Sequence, residues 1–88
     1  MRKFVLAFIE EKSTGENITN ILPKKIIKDI IAGEDQNLGL IYEEGNASYL
    51  YDKVIDIEET DYGLWVETES RLYRFDYCDD NGKSWCED

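Results

Sequence analysis

The chain has no histidine, one proline and two cysteines, and each scarcity removes a class of chemistry. Without histidine the common Ser–His and Cys–His nucleophilic pairs cannot be assembled. A pair of carboxylates can act as acid and base, but 88 residues leave little room for the deep cleft that such catalysis uses. The chain therefore reads as a non-enzyme, and it carries no cofactor motif. Two thiolates with no imidazole cannot close a four-ligand zinc site unless a second chain contributes. Cys78 and Cys86 flank Asn81-Gly82, a good turn dipeptide, so they stand across a terminal hairpin either as reduced thiols, which the cytosol favours, or as a disulfide. Asp79-Asp80-Asn81-Gly82 lacks the closing Glu of a calcium loop and reads as a polar turn.

Long apolar runs are also missing. The longest, Phe4 to Ile9, stops at Glu10 with no small-residue cleavage site, so the basic start at Arg2 and Lys3 does not make a signal peptide. Nothing approaches the roughly 20 apolar residues of a membrane span. A cytoplasmic protein of one domain, residues 1–88, is the expectation.

Positive charge is scarce as well, with ten Lys and Arg against twenty Asp and Glu and a net charge of −10. Fourteen of the acidic residues lie at or after Glu43. A surface of this sign repels phosphate backbones and anionic lipids, which argues against direct nucleic-acid or membrane binding and favours a basic partner.

What is present is a change of period. Phe4, Leu6 and Phe8 alternate with Val5, Ala7 and Ile9, which predicts a central strand covered on both faces. Pro23, then Ile26, Ile27, Ile30 and Ile31, then Gly33, predicts one short amphipathic helix whose other face carries Lys24, Lys25 and Lys28. From Leu38 onward the period is two. Gly45-Asn46 reads as a two-residue hairpin loop that places Tyr42 opposite Tyr49 and Leu40 opposite Tyr51. Ile55 and Ile57 are expected inward, with Asp56 and Glu58 outside. In the last hairpin a Glu69-Ser70 loop pairs Val66 with Tyr73 and Leu64 with Phe75 on the core side. The same loop pairs Glu67 with Leu72 and Trp65 with Arg74 on the other side, the latter as a cation–π contact. The expected fold is α+β, one short helix packed on a mainly antiparallel sheet of four to six strands that can curl toward a barrel.

On that sheet the carboxylates of Glu43, Glu44, Asp52, Asp56, Glu58, Glu59, Asp61, Glu67, Glu69 and Asp76 form the candidate partner-binding surface. Trp65 serves as an aromatic anchor, with Tyr62 and Trp85 also expected exposed. Asp56, Glu58, Glu67 and Asp76 are expected at outward strand positions. Alternate strand residues recur about every 6.6–7 Å and strands lie about 4.8 Å apart, a scale comparable to phosphates along a nucleic-acid strand. In size, acidity, lack of catalytic residues and compact α+β pattern the chain resembles the small inhibitors of bacteriophages and mobile elements, including anti-CRISPR proteins and other DNA mimics. The stretch from Trp65 to Phe75 is also similar to SH3-like small barrels. The first resemblance implies a stoichiometric inhibitor, monomeric or homodimeric, that occupies the basic nucleic-acid-binding surface of a nuclease. The alternative from the residues is a structural or assembly module that uses its sheet edge and aromatics.

Overall fold

The computed structural model describes residues 2–84. Six strands follow one another in space as in sequence: β1 (Lys3–Glu11), β2 (Ile27–Ile31), β3 (Asn37–Tyr42), β4 (Ala47–Glu59), β5 (Gly63–Thr68) and β6 (Arg71–Cys78). All neighbours are antiparallel, and β6 returns to pair with β1, closing a barrel. Among the described residues the only helical element is a single 3-10 turn, Thr19–Ile21. No helix among them is long and apolar enough to cross a membrane.

The α+β expectation is thus corrected to an all-β barrel, and the segment read as a helix is β2. The cause is a bulge. Ile27 lies opposite Tyr42, but Asp29 lies opposite Ile41, so Lys28 is an extra residue in the strand. Ile27 and Ile30 consequently both face the interior although three residues apart, a spacing that copies one face of a helix. Four isoleucines also favour an extended chain, because branching at Cβ stiffens χ1 and suits a pleated surface.

The same device recurs in two other strands. Ala7 is the extra residue in β1, so Leu6 and Ile9 face inward while Phe8 lies opposite Arg74. Ile55 is the extra residue in β4, between inward Val54 and Ile57. Strict alternation through Phe8 or Ile55 therefore assigns the wrong face. Ile55 is 51% exposed, against the expectation that it faces inward, and Ile57 is 41% exposed although it lies opposite the buried Val66.

The β3–β4 hairpin is corrected too. Leu38 lies opposite Leu50 and Leu40 opposite Ser48. Tyr42 N–H donates to Asn46 O (2.8 Å) and Gly45 N–H to Tyr42 O (3.0 Å), so the loop holds three residues, Glu43 to Gly45. Gly45, at φ 107°, supplies the positive φ that such a loop demands. The change of register sets Tyr49 opposite Gly39, and Tyr51, in a second irregularity between Leu50 and Lys53, is 91% exposed.

The β5–β6 hairpin, in contrast, has the expected register throughout, from Leu64 opposite Phe75 to Glu67 opposite Leu72. Val66, Tyr73 and Phe75 join Ile9, Ile27, Leu38, Leu40, Tyr42 and Val54 in the core. Each such side chain contributes about 1.5–3 kcal/mol by leaving water. Gly63 lets the hairpin lie flat, since a Cβ there would come within 1.9 Å of Phe75 O.

Candidate functional site

The outer face of β4, β5 and β6 is built from two cross-strand rows. Glu58 lies opposite Trp65, and Trp65 opposite Arg74; Asp56 lies opposite Glu67, and Glu67 opposite Leu72. Directly opposed side chains share a face about 4.5–5.5 Å apart at Cβ, so Asp56, Glu58, Trp65, Glu67 and Leu72 converge on one hollow of about 140 Å³. The bulge at Ile55 makes this possible, because alternation from the inward Val54 would otherwise turn Asp56 and Glu58 inward. The Arg74 guanidinium lies 5.9 Å from the Trp65 ring centroid, the expected cation–π pair. A neighbouring hollow of about 260 Å³ has Tyr62 and Trp65 in its wall together with Arg74. Trp85 lies outside the described residues.

The tight β5–β6 turn that fixes these rows is held by Thr68, which is fully buried. Its hydroxyl donates to Asp52 Oδ2 (2.6 Å) and accepts from Arg71 N–H (3.1 Å), while Ser70 Oγ donates to the same Asp52 oxygen (2.6 Å). Asp52 therefore serves the turn. Two hydroxyls occupy the oxygen that a partner cation would seek.

The other expected site residues separate by circumstance. Glu43 pairs with Lys3, Glu44 with Lys25, and Glu67 with Lys12 at 2.5 Å. The Lys25 hydrogen bond, and then that of Asn46, holds the Glu44 carboxyl below the ordinary range. Hydrogen bonds to Glu43 and then Asp80 raise the Lys3 ammonium above its ordinary value. Lys25, expected on a solvated helix face, is instead bound to the β3–β4 turn and lies 5.6 Å from the Tyr42 ring. Asp56, Glu58, Glu59, Asp61 and Glu69 are exposed and have no ion-pair partner among the described residues. Glu59 lies opposite Leu64, on the other face from Glu58, and Asp61 belongs to the β4–β5 turn. Glu69 belongs to the turn at the other end of β5 and does not join them.

Asp76 departs from the outward, accessible position expected of it. It is only 6% exposed. Arg74 donates to it through Nε (3.0 Å) and a terminal nitrogen (3.4 Å), and Ser84 Oγ donates to Oδ2 (3.2 Å). Strand alternation does place Asp76 on the outer side, but the chain returning after β6 covers it there, with Ser84 bridging to Cys78. A buried carboxylate persists as a charge when it is paired and hydrogen-bonded, so Asp76 is structural.

The lysines that neutralise Glu43, Glu44 and Glu67 stand 40, 19 and 55 residues from them in sequence. No local signal announces such pairs. The turn after β6 follows the polar-turn reading, since Asp79 Oδ1 accepts from the N–H groups of Asn81 and Lys83, both at 2.9 Å. Cys78 is a buried free thiol whose proton is held more tightly than usual by burial and then by the Asp79 charge. Cys86 lies outside the described residues.

No protein-family model matches the chain, and no curated protein or solved structure matches it.

Proposed function

We propose that the chain is a non-enzymatic inhibitor, acting in the cytoplasm of a bacterial host. Its β4–β5 face occupies the basic nucleic-acid-binding surface of a nucleic-acid-processing protein such as a CRISPR effector nuclease. The observation that carries this reading is the division of the carboxylates. The chain's lysines neutralise Glu43, Glu44 and Glu67, while Asp56 and Glu58 stay exposed and without ion pairs among the described residues, in the same hollow as Trp65. A hollow with acidic walls and an aromatic side receives a guanidinium or ammonium group, combining charge attraction with a cation–π contact. Arg and Lys that serve a nuclease by contacting phosphates would meet carboxylates at alternate strand positions instead, about 6.6–7 Å apart. Each such contact replaces one phosphate contact and so inherits its salt dependence.

The test is displacement. Titrated into a guide-loaded CRISPR effector bound to target DNA, the protein should release the DNA near a one-to-one ratio, with affinity falling as salt rises. Reversing Asp56, Glu58 and Glu67 to Lys should abolish the effect. Release by the triple reversal as efficient as by the parent would overturn the reading.

A second reading, a structural or assembly module, is favoured by one other observation. The Tyr49 ring lies against Gly39 beside Ile31, and these aromatic and aliphatic side chains are exposed on the β2–β4 face together with Tyr51. It predicts self-association by light scattering that salt does not weaken.

A further inference from the structure

The outer part of β4 has a strand neighbour on one edge only among the described residues. β4 pairs with β3 through Ala47–Lys53 and, on its opposite edge, with β5 from Val54 to Glu59. On the β3 side the last main-chain bonds are those of Val54, whose N–H donates to Gln36 O (2.9 Å) and whose C=O accepts from Asp35 N–H (3.1 Å). Beyond that point β4 overhangs. Thr60 N–H donates to Gly63 O (2.9 Å), which sets the alternation of the ladder. Glu58–Trp65 and Asp56–Glu67 are then the hydrogen-bonded pairs, and the N–H and C=O groups of Ile57 and Glu59 point away from β5. The overhang explains why Ile57 is 41% exposed while its partner Val66 is buried.

Open edges of this kind template further strands unless proline, lysine or a cover blocks them. From Ile55 to Glu59 the edge has neither proline nor lysine, and its only charges are negative. Those charges decide the occupant. An antiparallel pairing of two copies centred on Ile57 would set Asp56 against Glu58 twice, and like charges directly opposite destabilise a sheet. A strand with basic residues at the same positions meets the reverse situation.

We propose that the free edge of β4 from Ile55 to Glu59 accepts an extended segment of a basic partner as an added strand. Lys or Arg at alternate positions lie beside Asp56 and Glu58, and an apolar residue between them covers Ile57. Main-chain hydrogen bonds supply affinity and the alternating side chains supply selectivity. This rests on the basic-partner reading above and adds the mode of engagement.

The probe is the capped heptapeptide Gly-Arg-Val-Lys-Val-Arg-Gly, with two N-methylated versions, one blocking the Arg and Lys amides and one the Val amides. Amide hydrogen exchange is followed by NMR at low salt. The parent peptide should slow exchange at Ile57 and Glu59 by at least about tenfold. One N-methylated version, the one blocked on the edge that faces β4, should lose binding by at least about tenfold while the other retains it. If both N-methylated versions bind like the parent and the two amides exchange unchanged, strand addition is overturned and the acidic-face reading stands. If the peptide fails to bind while nuclease displacement succeeds, strand addition again falls alone; if both assays fail, both readings fall. A free protein already dimeric, with Ile57 and Glu59 protected before peptide is added, assigns the edge to a second copy and overturns the proposal.

Discussion

The β3–β4 turn and the face of β4 that adjoins Trp65 each present two carboxylates to solvent, and the two regions differ in what stands beside them. Glu43 and Glu44 have lysines delivered by β1 and by the segment before β2. Asp56 and Glu58 have Glu67, which Lys12 already pairs, and an indole ring beside Arg74, and neither of the two carboxylates has an ion pair of its own among the described residues. Equal formal charge thus yields a closed network in one place and an open acceptor in the other. Net charge sets the sign of a partner, but only the positions of the lysines locate where that partner is received. Ion pairs at exposed sites contribute little to stability, so the turn network matters chiefly as charge already neutralised.

Three substitutions sharpen the comparison, and they are ordered by expected effect. Asp76 is the extreme case of a neutralised carboxylate. Asp76→Ala should lower unfolding free energy in urea by about 2–3 kcal/mol, below the full cost of breaking a buried pair because Arg74 keeps some contact with water. A loss below about 0.5 kcal/mol would place Asp76 among the free carboxylates. Thr68→Val should cost about 1–2 kcal/mol, since it leaves Asp52 and the Arg71 N–H short of a partner inside the β5–β6 turn. Binding to a basic partner should fall only as far as the hairpin loosens. Glu44→Gln should have the smallest effect. Because Lys25 depresses the Glu44 carboxyl in the folded chain, its contribution is present above the unfolded value and lost as pH falls through the folded one. The variant and the parent should therefore converge in acid and differ slightly at neutral pH, as melting temperatures taken across that range would show.

Tyr73 offers a check at the opposite end of the pH scale. Burial raises its phenol above the ordinary value despite the Arg71 hydrogen bond. The folded chain holds the proton more tightly than the unfolded chain, so this contribution is intact below about pH 10 and is lost as pH rises beyond it. Tyr73→Phe should flatten the alkaline limb of the stability curve. An unchanged limb would show that Tyr73 does not govern it.

How far the sequence discloses this molecule depends on bulges. The β5–β6 hairpin is legible to the individual pair because its alternation runs uninterrupted from Leu64 to Glu67 and from Leu72 to Phe75. Where a strand contains an extra residue, at Ala7, Lys28 or Ile55, inward side chains fall three apart and alternation changes face. At Lys28 this spacing, with proline before it and glycine after it, is indistinguishable from an amphipathic helix. Only closure of the barrel, which needs β2 between β1 and β3, decides for the strand. The site divides in the same way. Trp65 and Glu67 are legible on one face from the β5–β6 register, and Asp56 and Glu58 as outward positions of their strand, but their placement opposite Glu67 and Trp65 depends on the β4–β5 register set by the bulge at Ile55. The burial of Asp76 and the lysine partners of Glu43, Glu44 and Glu67 depend on contacts between distant segments, which no local pattern records.

The central claim is that the β4 carboxylates receive the partner and the turn carboxylates do not. The most direct test removes two negative charges from one region at a time: Asp56→Asn with Glu58→Gln, against Glu43→Gln with Glu44→Gln, in the DNA-displacement assay across a salt series. The account predicts that the β4 pair loses at least about tenfold in affinity and shows a shallower salt slope, while the turn pair stays within about twofold of the parent. Equal losses in the two variants would contradict it, and would mean that total charge, not its placement on β4, does the binding.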